Sequence, residues 1–240
     1  MSRTAVDRLD GALARFGRLG LAHLPTPFEP MKRLSAHLGG PRLWVKRDDC
    51  TGLGLGGNKL RKLDYVLRAA LDRGADTLVS GGVVQSNSQR QVAAAAAKLG
   101  LACHLAVYHG RLAAPSPDYD RTGNALLNRL FGAVLHDVPW NGDRNGAITA
   151  LAETLRAGGR RPFVVPYGVS DALGAVAYAS TAVEIARQCA ALASNGWSWP
   201  AMPGRPMACR TPRRSRRSGS ARRSRGWCSI RSIPPRASPA

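Results

Sequence analysis

No apolar run in this 240-residue sequence approaches the ~20 residues that would span a bilayer. The opening stretch, MSRTAVDRLDGALARFG, carries acids and has no apolar core, so it does not read as a secretory signal. The five cysteines (Cys50, Cys103, Cys189, Cys209, Cys228) are scattered; no CxxC pair and no His/Cys cluster has metal-ligand spacing. These absences lead us to expect a protein of the reducing cytoplasm with no metal and no membrane partner, and Cys103 in the core of a strand. Acidic residues are missing after Glu184, and residues 201–240 hold eleven arginines with neither lysine nor acid. More than half of the formal charge of +20 therefore belongs to the tail and says little about a folded body. Apolar content is an ordinary 44%, and the length suffices for one large or two small domains.

What is present alternates between two periods from residue 42 to 184. Short apolar, partly β-branched runs predict strands at 43–46 (LWVK), 77–81 (TLVSG), 103–108 (CHLAVY), 133–138 (AVLHDV) and 163–167 (FVVPY). Helical spacing separates them at 58–73, 87–99, 120–130, 144–157 and 172–191, with Gly74, Gly100, Gly132 and Gly158 placed as left-handed C-caps. Repeated strand–helix–strand units predict an α/β fold, a parallel sheet with helices on both faces. If these strands share one sheet, the loops at 50–58, 81–88 and 167–171 lie on its ligand-binding rim. Near residue 194 Gly, Ser, Pro and Arg take over and no period survives.

Three loops carry candidate chemistry. Thr51-Gly-Leu-Gly-Leu-Gly-Gly-Asn-Lys59 runs into a helix: its glycines permit positive φ, and a helix start can present a lysine to a bound group. A glycine-rich turn before a surface lysine is the plainer alternative, since the spacing matches neither GxGxxG nor the P-loop. Gly81-Gly-Val-Val-Gln-Ser-Asn-Ser-Gln-Arg90 follows a strand; Ser86 or Asn87 is either a helix N-cap or, with Gln85, a ligand-facing polar group. In Val165-Pro-Tyr-Gly-Val-Ser-Asp-Ala-Leu-Gly174, Ser170 or Asp171 is a candidate cap. The five histidines fall in unrelated contexts.

Taken together and in order, WVKRDD (44–49), GLGGNKLRKLDY (54–65), GGVVQSNSQRQVAAAAAKLGL (81–101) and PYGVSDALGAVAY (166–178) resemble the D-cysteine desulfhydrase and 1-aminocyclopropane-1-carboxylate (ACC) deaminase family. The likeness runs from about residue 15 to about 190. These are pyridoxal-phosphate (PLP) enzymes of the tryptophan-synthase-β fold type. The resemblance implies that Lys59 bonds the PLP aldehyde, that Asn87 hydrogen-bonds the cofactor's 3′-oxygen beside Asn58, and that Ser86 and Gln85 face a small amino-acid substrate, Ser86 as a catalytic or carboxylate-binding hydroxyl. A lysine in that role must sit by the aldehyde and be able to lose its proton. The resemblance further implies a smaller inserted domain at roughly 60–165 within an enzyme region of 1–193, and a homodimer for intact members.

Two details favour the desulfhydrase branch, which releases sulfide and ammonia from D-cysteine to leave pyruvate. The loop resembles KRDD-x-TGL-x-LGGNK, where ACC deaminases have KRED and one more residue; the Ser170-Asp-Ala-Leu-Gly174 run resembles SNALG. ACC deaminase or another sulfur amino-acid lyase is the alternative within the family. Arg121-Thr-Gly-Asn124 and RLSAHLGG (33–40) fit both branches. Ser88 stands where desulfhydrases have His, and Val169 where the family's GGS turn has Gly. The family's phosphate loop, late tyrosine and C-terminal segment are not found. The last sixteen residues, RGWCSIRSIPPRASPA, back-translate in a shifted frame to EGVVLDPVYTAKGFAG, similar to the family's late LDPVYTGK segment. Residues 194–240 are therefore expected to be an out-of-frame, disordered tail, and the chain an impaired, C-terminally incomplete lyase. The competing reading from another class, nucleic-acid binding through the Arg/Ser tail, predicts strong salt dependence; no nucleic-acid partner is expected here, because out-of-frame GC-rich DNA yields such a tail without selection.

Overall fold

The computed structural model describes residues 3–110 and 115–194; the predicted tail falls outside them from residue 195 on. Four of the five expected strands form one parallel sheet: β3 (Thr77–Val83), β4 (Ala102–His109), β5 (Val134–Pro139) and β6 (Pro162–Val164), in the order β5-β4-β3-β6. The central strand β3 is buried at six of its seven positions, as a parallel strand covered on both faces must be. Side-chain alternation assigns the faces. Leu78, Cys103, Leu105 and Val107 pack with Leu60, Leu63, Val66 and Leu67 of α3 (Lys59–Asp72) and with Val92, Ala93 and Ala96 of α4 (Asn87–Leu99). Val79 and Ala106 point the other way, onto Ile148 and Ala152 of α6 (Gly146–Ala157). Each fully buried Leu or Val contributes about 1.5–3 kcal/mol, so these two cores hold the sheet between its helices.

The run at 43–46 is the exception. Trp44–Lys46 (β2) pairs antiparallel with Phe28–Pro30 (β1) in a separate ribbon, with the Phe28 and Trp44 rings stacked at 5.0 Å. The 50–58 loop therefore does not follow a strand of the main sheet. A short apolar run announces a strand but not its partner, and β1 is three residues long with a proline in it. Two helices were not anticipated: α1 (Arg3–Ala14), which packs Val6 and Leu13 on Val183, and α2 (Lys32–Leu38), which buries no residue. α5 (Gly123–Leu130) starts later than the predicted 120, because Asp118–Thr122 forms a turn closed by Thr122 Oγ1 on Asp118 O at 2.9 Å. The last helix, α7 (Ala172–Ser194), packs against α3 and α1.

Gly100 caps α4 as expected, with φ 69° and its N–H on the carbonyls of Ala96 and Ala97. Gly74 and Gly132 are also left-handed. Gly158 is not: its φ is −82°, and Gly159 at +82° makes the turn instead. The sheet and helices α3–α6 come wholly from residues 59–164, while α1, α7 and the ribbon come from outside that stretch. Cys103 is a buried strand residue whose thiol burial pushes up to about 12. Among the described residues Cys50, Cys103 and Cys189 are free thiols, no His/Cys/Asp/Glu group could hold a metal, and no helix is long and apolar enough to cross a membrane.

Candidate active site

The glycine-rich loop is built to lie against α4. Thr51 closes it: Thr51 Oγ1 accepts from Gly57 N at 2.8 Å. A Cβ on Gly54 would stand 2.5 Å from Ala94 Cβ, and one on Gly57 2.4 Å from Gln91 Nε2, so these two glycines permit a close approach between loop and helix. Consecutive residues of α4 grip the loop. Arg90 Nη2 donates to Gly56 O at 3.0 Å, and Gln91 Oε1 accepts from Leu60 N at 2.7 Å while its Nε2 donates to Asn87 O at 3.1 Å. Gln91 thereby links the first turn of α3, where Lys59 sits, to the first turn of α4, where Asn87 sits. Arg90 Nη1 and Ser88 Oγ are buried without a partner among the described residues.

Lys59 is the first residue of α3. Its Nζ donates to Asn58 Oδ1 at 3.1 Å, and Asn58 Nδ2 donates to Tyr178 Oη of α7 at 2.9 Å. Burial holds the Lys59 amine below its ordinary pKa, and the neighbouring Lys62 ammonium lowers it further. A lysine in that state keeps a larger fraction of free base near neutrality than an exposed one.

The second loop follows β3. Ser86 is the N-cap of α4, its Oγ accepting from Gln89 N at a long 3.4 Å. Asn87 Oδ1 accepts from Asn124 Nδ2 at 2.9 Å and from Arg90 Nη2 at 3.5 Å, and its Nδ2 has no partner among the described residues. Gln85, expected to face substrate, is engaged elsewhere. Its Nε2 donates to the carbonyls of Tyr119 and Thr122, and its Oε1 accepts from Asn124 N at 2.9 Å. The third loop, after β6, is a turn at Tyr167–Val169; of its two candidate caps it is Asp171 that acts, accepting from Gly174 N at 2.6 Å. The second and third loops follow adjacent strands of the sheet at their carboxyl ends, the rim where such folds bind ligands.

An ion network surrounds Arg61 in the first turn of α3. The Arg61 guanidinium, 2% exposed, bonds Asp48 Oδ1 at 2.8 Å, Glu184 Oε2 at 2.9 Å and Thr26 Oγ1 at 2.7 Å. Lys46 pairs with Glu184 and donates to Gln188 Oε1 at 2.7 Å. Burial pushes the Glu184 carboxyl up, but Arg61 and Lys46 outweigh it and hold it below the ordinary range. Lys46 and Asp48 of the WVKRDD motif thus fasten the start of α3 to α7. Tyr178, Arg90, Gln91 and Asn124 were not singled out by sequence reasoning; each lay inside a quoted motif, with nothing in its spacing to show what it would touch.

Together these features describe an α/β protein with an amide and a hydroxyl at the rim of a parallel sheet and a half-buried amine at the end of the loop that packs against α4. Residues 19–195 match the family model described as pyridoxal-phosphate dependent enzyme, and the chain belongs to that family. It is 46% identical over 178 residues to a D-cysteine desulfhydrase of Salmonella choleraesuis (strain SC-B67), covering 74% of this chain and 54% of the relative. To a D-cysteine desulfhydrase of Salmonella newport (strain SL254) it is 45% identical over 177 residues, covering 74% and 53%. A crystal structure of an ACC deaminase homologue superposes with a TM-score of 0.68 at 34% identity, over 78% of this chain and 55% of that one. The chain spans about half the length of these relatives.

Proposed function

We propose that the chain belongs to a PLP-dependent lyase of the D-cysteine desulfhydrase type, with Lys59 as the residue that bonds the cofactor's aldehyde. The observation that carries this reading is the Lys59 amine itself: half-buried, lowered in pKa, and placed where the loop and α4 converge. The donor set fits the group. An aldehyde asks for a free amine, and the oxygen beside it on the ring asks for a donor, which Asn87 Nδ2 can supply. PLP, when bound, withdraws electrons from the substrate Cα and so makes its bonds breakable. The protein's share is positional. Lys59 Nζ holds or accepts a proton, Asn58 orients it, Asn87 fixes the ring side, and the Ser86 hydroxyl, lightly held by its long cap bond, turns to the amino-acid substrate. Gln85 supports these groups by anchoring Asn124 and the 119–122 turn.

D-cysteine as substrate rests on the curated relatives; the ACC deaminase homologue supports ACC as the alternative, and another sulfur amino acid is the remaining alternative within the family. Residues from roughly 60 to 165 would form the smaller domain of the enzyme. The free thiols suit a reducing cytoplasm, and a homodimer follows from family resemblance alone.

The test titrates PLP into the 240-residue chain and follows the visible absorbance of the lysine-bound cofactor. A band that Lys59→Ala abolishes, and that D-cysteine changes at lower concentration than ACC, is the expected result. A band that survives Lys59→Ala overturns the assignment of the lysine; a stronger response to ACC overturns the substrate.

A further inference from the structure

We infer that Tyr178 is a positioning residue for the Lys59 amine, acting from α7 through the side-chain amide of Asn58. The geometry is a chain of two hydrogen bonds: Lys59 Nζ to Asn58 Oδ1 at 3.1 Å, and Asn58 Nδ2 to Tyr178 Oη at 2.9 Å. An amide offers an acceptor at one end and donors at the other. With its donor end on the tyrosine oxygen, Asn58 must present its carbonyl to Lys59. A free Asn58 side chain could take other rotamers and leave the amine without its acceptor. The tyrosine is 120 residues from Asn58 in sequence and reaches it because α7 packs along α3.

The charged and titratable groups around Lys59 come from three helices. Lys62 lies one turn along α3; its Nζ is 3.5 Å from Gly168 O and 5.8 Å from the centroid of the Tyr178 ring. From α7 come Tyr178 and Glu184, the latter engaged by Arg61 and Lys46; from α4 comes Arg90, which donates to Gly56 O at 3.0 Å and Asn87 Oδ1 at 3.5 Å. No carboxylate bonds Lys59 among the described residues. The carbonyl of Asn58 is therefore the acceptor that supports the ammonium against burial and against Lys62. Removing the phenolic hydroxyl loosens that acceptor. A hydrogen bond to the charged form favours it, so its loss shifts the amine further toward free base.

This inference rests on the proposed role of Lys59 only for its meaning; its test needs no cofactor. The whole chain is labelled with trace acetic anhydride across a pH series, and Lys59 and Lys98 are quantified in the same digest by mass spectrometry. Tyr178→Phe, which keeps the ring beside Lys62, is expected to raise Lys59 labelling near neutral pH about two- to threefold, the size of one weakened hydrogen bond, with Lys98 unchanged. Asn58→Ala is expected to give a similar rise, and Tyr178→Phe to add nothing in that background. Unchanged Lys59 labelling overturns the inference. So does a rise shared by Lys98, or a Tyr178→Phe effect that persists in full without Asn58. Should Tyr178→Phe fail to fold, Asn58→Ala decides: no rise there breaks the link. Absence of a PLP band in the unsubstituted chain would instead defeat the proposed function and leave this result standing.

Discussion

Among the described residues two that are not glycine adopt left-handed backbone, and they differ in what they gain from it. Val169, at φ 53°, is wholly buried and packs in the same core as Leu60 and Val84. Leu55, at φ 65°, leaves 74% of its surface in water. The conformation costs an L-residue roughly 1–2 kcal/mol, less for asparagine. Leu55→Asn should therefore raise stability by about 0.5–1 kcal/mol, read as a higher urea midpoint with unchanged slope. Asp64 gives a pH-dependent case. Its buried carboxylate accepts from Leu21 N at 2.7 Å; burial raises its pKa, while the Leu21 N–H and Arg18 pull back. A carboxyl whose folded pKa lies above its unfolded one loses its stabilising share as pH rises through the folded value. Asp64→Asn keeps an acceptor for Leu21 and should be more stable than the parent at pH 7, the gain shrinking toward pH 4. Equal unfolding midpoints at both pH values would contradict this. At this scale the sequence displayed the chemistry but not its supports. Lys59, Ser86 and Asn87 stand out by residue type and place in their loops, whereas Tyr178 reaches Asn58 from 120 residues away and Asn124 reaches Asn87 from 37. Pattern carries no information about such contacts. Gln85 shows the same limit: nothing in its spacing announced its bonds to Tyr119 O, Thr122 O and Asn124 N.

Among the elements, the start of α3 depends most on a distant partner. Glu184→Ala would leave Arg61 and Lys46 buried without their shared carboxylate, a loss of about 3–5 kcal/mol. The pH sign is opposite to that of Asp64. The folded pKa of Glu184 is depressed, so its contribution is present above the unfolded carboxyl value of about 4.3 and is lost as pH falls through the lower folded value. Acid denaturation of Glu184→Gln should lack that component; an unchanged acid profile would show that the network carries none of it. The loop has its own test. Gly54→Ala adds a methyl 2.5 Å from Ala94 Cβ at φ 61°, and should cost about 1–3 kcal/mol and reduce PLP uptake in the same titration. Elements with a clear local signal were legible: β3, β4 and β5 were found where short apolar, partly β-branched runs put them, and the alanine-rich α4 matched to the residue. α2 buries nothing and so has no apolar stripe to show. α1 rests on a sparse one, Val6, Leu9 and Leu13.

The whole molecule joins a family shown by residues 19–195 to a basic tail that lies outside the described structure. Its lysines are few: Lys32, Lys46, Lys59, Lys62 and Lys98 are all the sequence has, against thirty arginines. That scarcity makes the central claim open to direct chemistry, because any covalently held aldehyde has only five side chains and the amino terminus to choose from. Lys46 is tied into the Glu184 network, while Lys59 alone combines burial, a lowered pKa and a place beside Asn58. The decisive measurement is to incubate the 240-residue chain with PLP near neutral pH, reduce with borohydride, digest, and locate the pyridoxyl group by mass spectrometry. The account predicts the label on Lys59 at sub-stoichiometric PLP, ahead of Lys32, Lys62 and Lys98. A label spread evenly over the exposed lysines, or one that leaves Lys59 unmodified, would contradict it.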